Sequence, residues 1–209
     1  MRCLLRSPRF RTHAPGTARA LAVVLLQLLP AGTLQAQALR PGASTRATTT
    51  VTLTPRDTAG AQSAVAPAQP VRITIDYGQP HARGRTVAGA LEADLDSVWR
   101  LGANDATSLV TGVDLIIGTL PVPRGEYTLY AQTARRGDWH LIVSRKTQQL
   151  GTDYDRAQDL GRVPLRSRTL AAPLESLSIW LIPAGDGSPR GELRFAWGTR
   201  EFSTEWRVR

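Results

Sequence analysis

The sequence predicts an all-β fold: an antiparallel β-sandwich of seven or more strands, with minor helical turns and a partly closed β-barrel as the alternative. Three observations carry this. Apolar residues alternate with period two in successive runs from Val71 to the C-terminus. The runs recur at roughly 10-residue spacing, with Gly, Pro and Asp clusters between them. No long stretch with helical apolar periodicity interrupts them.

The elements follow in order. Val71, Ile73, Ile75 and Tyr77 alternate with Arg72, Thr74 and Asp76, which predicts a half-buried strand. Ala88 to Val98 predicts one or two helical turns. Val113, Leu115 and Ile117 predict a strand that ends in a turn at Pro121 and Pro123. Tyr127, Leu129 and Ala131 predict the next strand, and Arg136-Gly137-Asp138 a turn after it. Trp139, Leu141 and Val143 face opposite His140, Ile142 and Ser144. Asp153 to Leu160 predicts a second short helical piece. Leu177, Ile179 and Leu181 predict a strand with Trp180 and Ile182 on its other face. Gly185-Asp186-Gly187-Ser188-Pro189 is a strong turn cluster. Leu193, Phe195 and Trp197 follow, and then Phe202, Thr204 and Trp206. Trp99, Trp139, Trp180 and Trp197 read as core or core-edge packing, and a row of exposed Trp would read as sugar stacking instead.

Three segments make up the chain. Residues 1–38 hold an Arg-rich n-region (Arg2 to Arg19), a short apolar run from Ala20 to Leu29, a break at Pro30 and Gly32, and Ala36-Gln37-Ala38. That order is a signal peptide with cleavage after Ala38. The apolar run falls short of the ~20 residues a membrane span needs, so no span is expected after cleavage. Residues 39–69 are rich in Ala, Thr and Pro and read as a flexible linker, with Thr48 to Thr54 as a possible edge strand. Residues 70–209 read as one β-sandwich domain.

The 209 residues carry 26 Lys+Arg against 17 Asp+Glu, a formal +9. Five of those bases lie before residue 39 with no acid, and from position 70 onward 18 bases face 16 acids, a net of +2. Near-neutral, interspersed charge excludes a nucleic-acid footprint. The single Cys, Cys3, lies ahead of the apolar run and leaves with the leader, so disulfide scaffolds and Cys-rich zinc modules are excluded. An exported protein, periplasmic or secreted, is expected.

Several segments carry a resemblance: ITIDYGQPHARGR (73–85), VWRLGANDATSLVT (98–111), PRGEYTLYA (123–131), DWHLIVSR (138–145) and GTDYDRAQDLGRVPL (151–165). Together they resemble the exported bacterial family called domain of unknown function 2911, over about residues 70–209. Trp99-Arg100-Leu101-Gly102-Ala103-Asn104 and the Gly84-Arg85 step are its most specific parts. The family usually reads Tyr-Ser-Arg-Pro in the first segment. Here Gly78 and Gln79 replace Ser-Arg, and His81 stands where a small hydroxyl residue is usual, so no role for these three is borrowed. The resemblance implies an exported, β-rich domain and no established activity.

The richest polar stretches are 80–85 and 99–107. Arg83, Arg85, Arg100, Asn104 and Thr107 form the expected ligand site if the two loops converge, because guanidinium forks hold carboxylate or phosphate by paired hydrogen bonds. The competing expectation pairs these Arg with Asp76, Asp94 or Asp105, or stacks one on Trp99, to pin loop to strand. A hydrolytic alternative uses His81 with Asp105 and Ser108 or Thr107. Glu92, Asp94 and Asp96 read as a charged turn rather than a glycosidase pair. Asp153, Asp155 and Asp159 miss the EF-hand pattern at Ala157 and Gln158, and an Asp N-cap before Arg156 is expected there. No metal, no cofactor and no nucleotide motif is expected. The leading expectation is a non-enzymatic domain that binds a small anionic or sugar-like ligand. A hydrolase and a purely structural envelope protein are the alternatives.

Overall fold

The structure is a computed structural model and describes residues 39–55, 69–87, 97–133 and 138–209. The leader 1–38, most of the helical stretch expected from Ala88, the acids Glu92, Asp94 and Asp96, and Arg136-Gly137 lie outside the described residues. Arg40–Arg209 forms a compact unit of its own.

The fold is all-β. Its strands are β1 (Ser44–Leu53), β2 (Val71–Pro80), β3 (Val98–Arg100), β4 (Thr107–Thr111), β5 (Leu115–Ile117), β6 (Leu120–Val122), β7 (Gly125–Thr133), β8 (Trp139–Ser144), β9 (Asp159–Pro183) and β10 (Arg190–Val208). They form one antiparallel sheet in the order β1-β2-β4-β7-β8-β9-β10-β5-β6, with β3 paired to β7. The sheet bends at its two long strands. The first part of β9 pairs with β8, and the rest pairs with β10. Its second half returns over β1 and β2, where the backbone N–H of Ile179 donates to the Tyr77 hydroxyl (3.0 Å) and that of Leu181 to Thr49 (3.5 Å). The result is sandwich-like, two layers of one sheet, and the expected alternative of a barrel is not what forms.

The core lies between the layers. Ile73, Ile75, Leu109, Leu129, Leu141, Phe195 and Phe202 are all buried. Burial of each such side chain contributes about 1.5–3 kcal/mol before the cost of ordering. Trp139 packs on Phe202 at 4.4 Å and Phe202 on Phe195 at 5.1 Å between ring centres. Trp139 is core, as expected; Trp99, Trp180 and Trp197 are half-buried.

Four differences from the expected elements have physical causes. The expected linker contains a ten-residue edge strand, which begins before the one offered at Thr48 to Thr54: β1 pairs with β2 from Ser44↔Pro80 to Leu53↔Val71. Its alternation of Ala47, Thr49, Val51 and Leu53 with Arg46, Thr48, Thr50 and Thr52 reads as low-complexity by composition and as a strand by period. Strands β3 and β4 replace part of the expected loop, since β3 is only three residues long and the Thr/Ser-rich β4 carries a weak apolar signal. Pro121 sits inside β6, at the end of the sheet order, where a missing N–H is tolerated. Finally, β10 is continuous, and its buried positions switch from Leu193 and Phe195 to Phe202, Thr204 and Trp206. The pairing with β9 shifts register on both sides of Gly198, whose φ is +58°. A bulge there turns two apparent strands into one. The short helical piece is a single 3-10 turn, Arg156–Gln158, capped by Asp155 accepting from Ala157 N at 2.9 Å.

Candidate functional site

The chain leaves β2 at Pro80 and turns at once. The N–H of Arg85 donates to Ala82 O at 3.0 Å, while Arg83 (φ +50°) and Gly84 (φ +77°) both lie in the left-handed region. Two left-handed central residues define a type I′ turn. Glycine adopts it freely and Arg83 does so at a cost. Four contacts hold Arg83 and its neighbour in place. Ala82 N donates to Glu175 O, Arg83 N to Glu175 Oε1 at 2.7 Å, and the Arg83 guanidinium to Pro41 O and Gly42 O.

Arg85 is exposed, and its guanidinium donates from Nε to Ala82 O (3.0 Å) and from Nη2 to His81 O (2.7 Å). Nη1 has no partner among the described residues. The side chain is thus fixed by backbone carbonyls and still carries free donors. It lines a cavity of about 420 Å³. Ala82, Val87, Pro173 and Leu174 supply apolar wall, and Thr86, Glu175 and Thr199 supply polar groups. Thr86, Arg85, Pro173 and Glu175 are exposed, so the cavity opens to solvent. Gly198 belongs to the same lining, and a Cβ there would meet Val87 at 2.9 Å. The β10 bulge therefore lets the 82–87 turn approach the sheet.

An aromatic pair stands behind this wall. Trp197 donates from its indole to Glu175 O at 3.3 Å and stacks on Trp99 at 6.3 Å, with planes 14° apart. These two rings brace the cavity wall rather than form an open stacking row.

The second expected loop goes elsewhere. Trp99 and Arg100 are adjacent in β3, so they point to opposite faces. Trp99 faces Trp197, and the Arg100 side chain packs along Gly151. Asn104 takes a left-handed turn (φ +63°), and its carbonyl accepts from Gly151 N at 2.8 Å. Thr107 is buried, and its hydroxyl donates to Leu101 O. Ala103 N donates to Gly78 O at 3.0 Å, and a Cβ on Gly78 would lie 1.8 Å from Ala103 O. This close approach is why glycine stands at position 78. The loops do not converge: of the five expected residues Arg85 lines the cavity, the Arg83 guanidinium is held by Pro41 O and Gly42 O, and Arg100, Asn104 and Thr107 lie on and between β3 and β4.

The hydrolytic grouping does not assemble either. Asp105 pairs with Arg46 at 3.1 Å, and Arg46 also engages Asp76. The His81 ring meets Ser176 Oγ through Nδ1 at 2.7 Å and Thr45 Oγ1 through Nε2 at 3.3 Å. No carboxylate among the described residues touches that ring. The partner of Asp76 and Asp105 is Arg46, from the segment read as linker, and not Arg83, Arg85 or Arg100. No group of three His, Cys, Asp or Glu that could hold a metal stands together among the described residues. No described helix is long and apolar enough to cross a membrane.

Sequence reasoning missed Val87, Pro173, Leu174, Glu175 and Thr199. Two signals pointed to them: a proline inside a β pattern at 173, and the phase change around Gly198.

Burial pushes the Tyr77 hydroxyl up from its ordinary value, against the Ile179 N–H that favours the charged form. At the far end of the β9–β10 hairpin the Ser188 hydroxyl, then Arg190, holds the Asp186 carboxyl well below the usual range.

A family model described as "Protein of unknown function (DUF2911)" matches residues 59–205. No curated protein and no solved structure matches the chain.

Proposed function

We propose, for a chain that belongs to the DUF2911 family of proteins of unknown function, an exported domain that binds a small sugar-like ligand carrying an anionic group. The observation that carries this is the cavity at the 82–87 turn, where Arg85 is held by two backbone carbonyls with donors to spare. Preorganised guanidinium favours a carboxylate or phosphate oxygen. Glu175 keeps one carboxylate oxygen for ligand hydroxyls, because Arg83 N uses the other. Val87, Pro173 and Leu174 offer a surface for the C–H face of a ring. Export rests on the order of residues 1–38: basic region, short apolar run and Ala36-Gln37-Ala38.

Binding without turnover fits better than hydrolysis. Both nitrogens of the His81 ring are occupied by hydroxyls that tie β2 to β9 and β1, and Asp105 is committed to Arg46. The test is a thermal-shift screen with neutral sugars, sugar acids and simple carboxylates. Sugar acids are expected to raise Tm, and the rise is expected to vanish in Arg85→Ala. Equal shifts in the variant and the parent would overturn the reading.

A further inference from the structure

The sheet has two ends, and they are built differently. At one end β6 is three residues long and holds Pro121, which has no N–H to offer a further strand. At the other end β1 runs for ten residues without the usual protections of an edge. It contains no proline. Its register with β2 is one-to-one from Ser44 to Leu53, so no bulge twists it away. Its single charged side chain, Arg46, is engaged by Asp76 and Asp105 of its own chain. Residues of an antiparallel strand turn their N–H and C=O to one side and the other alternately, so every second residue of β1 directs both groups away from β2. No strand among the described residues pairs with that side.

We propose that this edge pairs with the β1 edge of a second copy of the chain, antiparallel about a two-fold axis at Thr50. The side chains of β1 select its own sequence as the occupant. On the outward row the axis sets Thr50 opposite itself and Thr48 opposite the partner's Thr52, positions that are all exposed. On the inward row Ala47 faces the partner's Leu53, and Thr49 faces the partner's Val51, so a smaller side chain meets a larger one each time. Ala47 and Leu53 are half-buried and already packed against the core, so the pairing extends the core across the axis.

Charge and hydrogen bonding agree with this arrangement. Each Arg46 faces the partner's Thr54, which puts the two guanidinium-bearing positions about 27 Å apart along the ribbon at ~3.4 Å per residue. That is well beyond the ~8 Å screening length at physiological salt. An in-register parallel pairing would set the two Arg46 side by side. Ten residues on each side make about ten backbone hydrogen bonds, the number a typical protein interface carries. The contact is isologous and closes as a dimer, which consumes both free edges.

The experiment is sedimentation equilibrium of the protein over the micromolar range, with circular dichroism to check the fold. A reversible equilibrium between monomer and dimer is expected. Thr50→Glu and Thr50→Lys each place like charges face to face at the axis, on an exposed row. Each is expected to raise the dimer dissociation constant at least about tenfold with an unchanged β-sheet spectrum. Mixing the two variants sets Glu against Lys and is expected to restore the dimer. A protein that stays monomeric throughout overturns the proposal. So does a dimer indifferent to both substitutions, or a pair of folded variants that fail to associate when mixed.

Discussion

The turn at 82–87 and the loop at 101–107 look alike as sequence: both are short, contain glycine and polar residues, and lie beside an arginine. In the structure they are opposites. The 101–107 loop is welded to β2, with Leu101, Gly102, Ala103 and Thr107 all buried and Ala103 bonded to Gly78. Its polar groups are spent on fastening: Thr107 to Leu101 O, Ala103 N to Gly78 O, Asn104 O to Gly151 N and Asp105 to Arg46. The 82–87 turn keeps only Ala82 and Val87 buried and presents Arg83, Gly84, Arg85 and Thr86 to solvent. Polar residues that satisfy the fold carry stability. Polar residues held in place with capacity left over are the ones able to hold a ligand.

Substitutions sharpen this contrast. The largest effect is expected from Gly78→Ala, since the new methyl would meet backbone at 1.8 Å. A loss of about 3 kcal/mol or more, or failure to fold, is expected in denaturant unfolding. Wild-type stability in that variant would break the claim that the 101–107 loop is welded to β2. Thr107→Val keeps the shape and removes the buried hydroxyl from Leu101 O. About 1–3 kcal/mol should be lost, with ligand affinity intact in the folded fraction. Gly84→Ala meets no atom within 4 Å, but its φ is +77°. The expected cost is about 1–2 kcal/mol, from backbone strain alone. Arg85→Ala is expected to change stability by less than about 0.5 kcal/mol and to abolish the ligand-induced Tm rise.

Alkaline pH probes how the two layers are fastened. Tyr77 is neutral, buried and bonded to Ile179 N, and its folded pKa is raised. A group raised on folding contributes stability that is complete below the unfolded value, near 10, and is lost as pH rises through the folded one. Unfolding midpoints are therefore expected to drop above about pH 10. That drop should shrink in Tyr77→Phe.

Much of the fold was legible because alternation reports burial directly. The cores of β2, β7, β8 and β10 are read from Ile73 and Ile75, Leu129, Leu141, and Phe195 and Phe202. Strand β1 was legible only in part, as the edge strand offered at Thr48 to Thr54, because its outward row is threonine and arginine and its inward row is mostly small. Of the residues expected at a site, Arg85 lines the cavity and Arg83, Arg100, Asn104 and Thr107 do not, since adjacent residues in a strand part company and period-two patterns do not tell a packed turn from an open one. Glu175 and Thr199 were hidden because the bulges that bring them beside residue 85 depend on pairing between distant strands.

The most direct measurement is an amide-shift titration of the protein with a sugar acid such as galacturonate at millimolar concentration. Saturable shifts should fall on residues 82–87, 173–175 and 198–199, leave 101–107 unmoved, and disappear in Arg85→Ala. Shifts centred on 101–107, or none at either place, would contradict the assignment of the ligand site to the Arg85 turn.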